Sequence, residues 1–270
     1  MKLDEFCAAI GLNAEAANLA AEFPMAEEEY QAYAALFARD HQAFSAEVRK
    51  RADAGQAFLY LFVHLAMDCY PAYCRRGIPD RIYYDTFRDI AIWAEEYRQE
   101  TGQAGLGEDC WLWLHPQLRI FRLGRLQFQP CAMPRELLLP ERRIWQGEPV
   151  LDVHIPKDGP LDPDAVQDSY RQAGEFFRGF SPVFLCESWL LCPELPRLLR
   201  ADSNILKFQA GYRLYGIEPN SRQAEERIFG RLCSDPSEYP ETTSLQRAAK
   251  RHLEAGGKLE SGRGVRLTVI

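Results

Sequence analysis

Apolar residues in the first hundred positions recur every three or four residues between short breaks at glycine or proline, the pattern of amphipathic helices. The spacing predicts helices over residues 3–10, 14–23, 25–39, 44–54, 57–70 and 80–100, punctuated by Gly11, Pro24, Gly55 and Gly102. Tyr30, Tyr33, Ala34 and Phe37 make one such face, and Ile82, Thr86, Ile90, Trp93 and Tyr97 another. Residues 57–70 are apolar nearly all round, which marks the central helix of a bundle.

The pattern changes after the glycine-rich stretch 102–107, which is the expected linker. Residues 111–121 suit one more helix, ending at Gly124. Strands are then predicted over 125–131, 142–146 and 150–155. Asp162 followed by Pro163 reads as an N-cap with proline at the first helical position, opening a helix to residue 177. A strand over 183–190, a short helix over 194–200 and a long strand over 205–217 follow. Residues 222–229 read as helix, Thr243 with Gln246 as the capping box of a helix to 255, and 265–270 as a closing strand.

The balance of 47% hydrophobic and 26% charged residues is that of a globular protein of one large or two ordinary domains. Of the net charge of −7, all of the excess lies in residues 1–101, which carry 10 basic and 17 acidic side chains against 22 of each in the remainder. That is the wrong sign for a binder of nucleic acid or an anionic membrane, which would show a basic stripe, while the neutral, arginine-rich remainder could hold one anionic ligand. Eight scattered cysteines lack the pairwise spacing of a zinc or redox site and are expected to be reduced. Asp4 and Glu5 stand where a signal peptide would be basic, and the longest apolar run, residues 57–67, is too short for a bilayer, so a cytoplasmic location is expected.

Strand periodicity places Val150, Asp152 and His154 on one face of the strand at 150–155. His154 ends it and has the pKa range of a general base, with Asp152 one strand repeat away, roughly 7 Å, to orient it. The following Lys157-Asp-Gly-Pro leads into a helix N-terminus, where free amides and the dipole favour an anion; a simple turn is the alternative. Glu187 is an acid within an apolar run, so it lies in a cleft or needs a partner, and burial would raise its pKa. Ser188 lacks the flanking glycines of a nucleophile elbow. Arg119, Arg122 and Arg125 bracket Gly124 as either an anion clamp or a solvated helix end. Tyr212 and Tyr215 are proton donors by type, or core aromatics.

The segments Arg119-Ile-Phe-Arg-Leu-Gly-Arg-Leu-Gln-Phe128, His154-Ile-Pro-Lys-Asp-Gly-Pro-Leu161, Cys186-Glu-Ser-Trp-Leu-Leu191 and Ser203-Asn-Ile-Leu206 resemble those of bacterial acyltransferase-domain proteins. That family pairs a helical N-acyltransferase N-terminal domain with a GNAT-like C-terminal domain. The resemblance implies an α+β or α/β chain: an all-helical domain over 1–105, then a GNAT-like mixed sheet flanked by helices over 106–270. It implies acyl-CoA or acetyl-CoA as co-substrate, with the backbone of Val153 to Ile155 along the pantetheine and the loop of Lys157, Asp158, Gly159 and Leu161 at the pyrophosphate. The second strand of the site, ending at Ser188 and Trp189, lies on the other side. One glycine replaces the family's Arg/Gln-x-x-Gly-x-Gly/Ala loop, and Pro156 and Pro160 offer no amide. The implied function is N-acylation of a small amine or amino acid, with His154 or Glu187 as base and Tyr215 as proton donor. The alternative is a non-catalytic GNAT-like binding or scaffold protein. A small-molecule acceptor is the expected partner, with neither nucleic acid nor membrane.

Overall fold

Local capping and burial decide where the helices of the first region begin and end. In the computed structural model, which describes residues 1–180 and 183–267, these are α1 (Leu3–Ile10), α2 (Ala14–Glu22), α3 (Glu27–Arg39), α4 (His41–Val48), α5 (Ala54–Arg75) and α6 (Asp80–Thr101). Asp40 accepts from the amides of Gln42 and Ala43, which starts α4 three residues ahead of the apolar pattern. The central helix α5 runs past the predicted end, through Pro71. It buries Phe58, Leu59, Leu61, Phe62 and Val63, each stabilising the bundle by roughly 1.5–3 kcal/mol.

The helix predicted over 111–121 is corrected to a single turn, α7 (Asp109–Leu112), followed by irregular chain. Leu118 adopts a positive φ of 52°, and the side chains of Trp111 and His115 are held by Asp89 of α6, so tertiary bonds override the helical spacing. Phe121–Leu123 is strand β1, pinned by the Arg122 amide donating to Thr86 Oγ1 at 2.9 Å.

The later elements are β2 (Leu126–Ala132), β3 (Leu137–Leu138), β4 (Arg143–Ile144), β5 (Pro149–His154), α8 (Pro163–Phe176), β6 (Val183–Ser188), α9 (Leu195–Leu198), α10 (Asn204–Ala210), β7 (Arg213–Glu218), α11 (Gln223–Phe229), α12 (Ser244–Glu254) and β8 (Ser261–Leu267). The long strand expected over 205–217 is corrected to α10 plus β7. Ser203 Oγ accepts from the Ile205 amide at 3.2 Å, Phe208 and Gln209 are buried at helical rather than alternating positions, and Gly211 closes the turn. The strand expected over 183–190 stops at Ser188, whose hydroxyl caps a 3-10 turn, Trp189–Leu191. Of the closing strand, residues 268–270 lie outside the described residues.

The main sheet has the order β1-β2-β5-β6-β8-β7, with β5 parallel to β6 and both β6 and β7 antiparallel to β8; β3 and β4 form a separate hairpin. One face of β5, β6 and β8 carries Val150, Val183, Leu185 and Val265 against Met133, Leu139 and Ile144. The other packs Phe128 and Phe184 against Tyr170 of α8. Strand β8 lies hard against the turn after β6: a Cβ on Gly262 would sit 2.0 Å from the Leu191 carbonyl oxygen, and one on Gly264 2.7 Å from Leu191 Cδ1.

The chain forms two compact units, Met1–Gln127 with Pro156–Gly159, and Phe128–Ile155 with Pro160–Ile270. Among the described residues no helix is long and apolar enough to cross a membrane.

Candidate acyl-transfer site

The parallel pairing of β5 with β6 is short. Leu151 lies opposite Phe184 and Asp152 opposite Leu185, and among the described residues no further pair follows, although β5 continues to His154 and β6 to Ser188. The ladder between the two strands therefore ends at Asp152, before either strand does, and the pair forks there, with the Val153 amide turned to Asp152 Oδ1 at 3.1 Å.

Beside this fork lies a recess of about 450 Å³, lined by Arg135, Asp152, Glu187, Tyr215, Arg263 and the small side chains of Cys131 and Ala132. Glu187 is exposed, and its carboxylate accepts from Arg263 Nε at 2.6 Å; Arg263 also pairs with Glu218. Glu187 thus has both the cleft and the partner expected of it, the partner being Arg263, which it faces across the β6–β8 register. Desolvation falls on Asp152 instead. About a third of its side chain (32%) is open, but into the recess. Burial, opposed by the Val153 amide and reinforced by the charge of Glu187, pushes its carboxyl up to about 7.

His154 is half-buried, with Nε2 3.1 Å from Gln129 Oε1 and 3.5 Å from Asp152 Oδ2. Tyr215 lies at a slip in the β7–β8 register between Leu214 and Gly216, the kind of bulge that re-aims a side chain. Burial holds its hydroxyl above the usual tyrosine range, with Arg135 and Arg263 pulling down and Asp152 and Glu187 pushing up. Tyr215 accordingly stays protonated at neutral pH. Tyr212, fully committed to the core, shares a 2.5 Å hydrogen bond with Tyr170.

The predicted binding residues divide. Val153 is buried on β5, and Ile155 and Leu161 are half-buried. Ser188 is taken up by its capping bond, and the Trp189 amide donates to Gln223 Oε1 at 2.9 Å. In the helical unit, Lys157 Nζ donates to Glu96 Oε1 at 2.6 Å, Arg122 Nη1 donates to Asp158 Oδ2 at 3.0 Å, and Arg125 donates to the carbonyls of Pro156 and Gly159. Arg122 and Arg125 hold the chain's own loop, while Arg119 lies over the Trp113 ring. At the start of α8, Asp162 Oδ1 accepts from the amides of Asp164 and Ala165, so the first turn is capped from within.

The sequence pattern gives Asp152 only a part in orienting or charge-stabilising His154 and does not point to Arg135 or Arg263. The glycines flanking Arg263 carried a signal, since glycine within a strand marks close backbone approach. Nothing in the sequence distinguishes Arg135 from its neighbours.

No curated protein matches the chain. Among solved structures it resembles an acyltransferase in complex with decanoyl-CoA and teicoplanin, with 24% identity, a TM-score of 0.79, and coverage of 98% of this chain and 87% of that one. A mutant acyltransferase in complex with octanoyl-CoA matches at 23% identity, with the same TM-score and coverage. At this identity the likeness shows the fold. Residues 1–118 match the N-acyltransferase N-terminal domain and residues 120–266 the GNAT-like C-terminal domain, and the chain belongs to the family that joins these two.

Proposed function

We propose that the protein is an acyl-CoA-dependent N-acyltransferase that transfers an acyl group to a small amine or amino acid. The observation that carries the reading is the fork between β5 and β6 with Asp152 at its apex and in the recess beside it. The acyl-CoA complexes of the similar acyltransferases support the choice of donor.

The thioester supplies an activated acyl carbon. Backbone groups of Val153 and Ile155 lie along the pantetheine, and strand amides near Ile155 polarise the thioester carbonyl. An acceptor ammonium must lose its proton before attack, and a carboxyl with a pKa of about 7 is matched to that task. Asp152 takes the proton, with His154 at 3.5 Å and the negative charge of Glu187 favouring its protonated form. Asp152 passes this first proton to solvent and takes a second from the nitrogen as the N–C bond forms and the C–S bond breaks; Tyr215 delivers a proton to the departing thiolate and is reprotonated from Asp152. The loop of Lys157, Asp158, Gly159 and Leu161 meets the phosphate end through backbone amides and the Lys157 ammonium, which requires Lys157 to exchange Glu96 for phosphate.

Calorimetric titration with acetyl-CoA and decanoyl-CoA tests the donor. Saturable binding is expected, and no heat at millimolar ligand removes the acyltransferase reading. Given binding, His154→Ala and Glu187→Gln should lower turnover while leaving CoA affinity near wild type.

A further inference from the structure

The two acids and two arginines lining the recess are not equally committed. Glu187 and Arg263 are closed on each other, and Arg263 is closed again on Glu218. Arg135 is different: among the described residues no carboxylate lies within ion-pair distance of it. The acids that share its neighbourhood in sequence are taken elsewhere, Glu136 by Arg143 at 2.6 Å, Glu141 by Arg213 at 2.7 Å and Glu148 by Arg142 at 2.5 Å. The Arg135 guanidinium instead rests over the Tyr215 ring, 5.6 Å from its centroid, with Nη2 against Gly216, where an added Cβ would be 3.4 Å away. Stacking on a ring orients a guanidinium while leaving its fork of donors unused.

Among the described residues, the charges of the recess with no arginine or carboxylate closed on them are therefore one carboxyl, Asp152, which accepts the Val153 amide and lies 3.5 Å from His154, and one guanidinium, Arg135. Both line the same recess as Tyr215, whose ring carries Arg135. One acid and one base flanking a recess of about 450 Å³, at the small end of ligand pockets at ~300–1,000 Å³, match a small zwitterion. We propose that Arg135 binds the carboxylate of the acceptor while Asp152 receives its amino group, so that the acceptor is an amino acid or similar amino-carboxylate. The inference rests on the acyltransferase reading above and narrows it.

Steady-state acylation of matched acceptors by acetyl-CoA and decanoyl-CoA tests it: phenylalanine against phenethylamine, leucine against isopentylamine, glycine against methylamine. Products are read by mass spectrometry, because exposed Cys74 and Cys110 would react with thiol reagents. The wild type should prefer the carboxylated member of a pair. Arg135→Gln should raise its KM by roughly 10- to 100-fold, the loss expected for a charge-assisted pair, and erase the preference. Arg135→Lys should restore part of it. Equal use of both members, or an Arg135→Gln defect that falls equally on both, overturns the carboxylate role. So does failure to acylate any carboxylated acceptor while calorimetry still registers acyl-CoA. Absence of acyl-CoA binding overturns the acyltransferase reading beneath it.

Discussion

Asp89 in the helical unit and Asp152 in the sheet unit both lie beside a histidine and both lose most of their water, yet their carboxyls shift in opposite directions. Asp89 is nearly inaccessible (4%). Burial alone would push it up, but His115 at 3.1 Å, Trp111 Nε1 at 3.0 Å and Gln127 outweigh that and hold it low. Asp152 has its neighbouring amide and a histidine just beyond hydrogen-bond reach, so desolvation wins. The number of donors, more than depth, separates a structural carboxylate from one poised to exchange a proton near neutrality.

The strongest way to break the comparison is to remove the saturated acid. Asp89→Ala leaves His115 and Trp111 facing an empty site and should cost about 3–5 kcal/mol in denaturant unfolding, the usual result of deleting one partner of a buried pair. A loss under 1 kcal/mol would show that the cluster is not structural.

Asp152→Asn should act on rate instead. Turnover should fall by about 10²–10⁴-fold, the contribution of a positioned general base, and the wild-type rate should rise through about pH 7 as the carboxylate forms. The stability curve runs the other way. An aspartate near 3.9 when unfolded and about 7 when folded contributes stability at low pH that is lost as pH climbs between those values. Asp152→Asn should flatten that decline, whereas Asp89, held low, contributes stability that disappears only as pH drops below ~4. Unfolding midpoints from pH 3 to 9 check both signs.

The smallest effect is expected at Lys157. Its pair with Glu96 is half exposed, so Lys157→Ala should change stability by less than about 1 kcal/mol. It should weaken CoA binding several-fold in calorimetry. An unchanged affinity would remove Lys157 from the phosphate role.

The helices of the first unit were legible because burial there follows a single period, as in Tyr30 and Phe37 of α3. The capping signals of α8 and α12 were legible for the same local reason, Asp162 and Thr243 each accepting amides of their own first turn. Residues 204–210 were not, because Ile205, Leu206 and Phe208 suit either period, and the Ser203 cap with the Gln209 bond to the Cys192 carbonyl decides. At the site, the strand carrying Asp152 and His154 was readable. The contrast between Glu187 and Asp152 was not, because it depends on Arg263, which lies 76 residues from Glu187.

Among the described residues strand β8 comes last in chain order, but it lies between β6 and β7. Until residue 267 has been made, β6 lacks its antiparallel neighbour and β7 has none to pair with, so the sheet unit cannot close progressively from its N-terminal side. Arg263 of β8 lines the recess, so during synthesis the recess is complete only after that insertion, and a chain cut before Ser261 would expose the raw edges of β6 and β7 to other copies. The fold thereby couples the appearance of the site to completion of β8, and a nascent chain should need chaperone protection longest over residues 183–218.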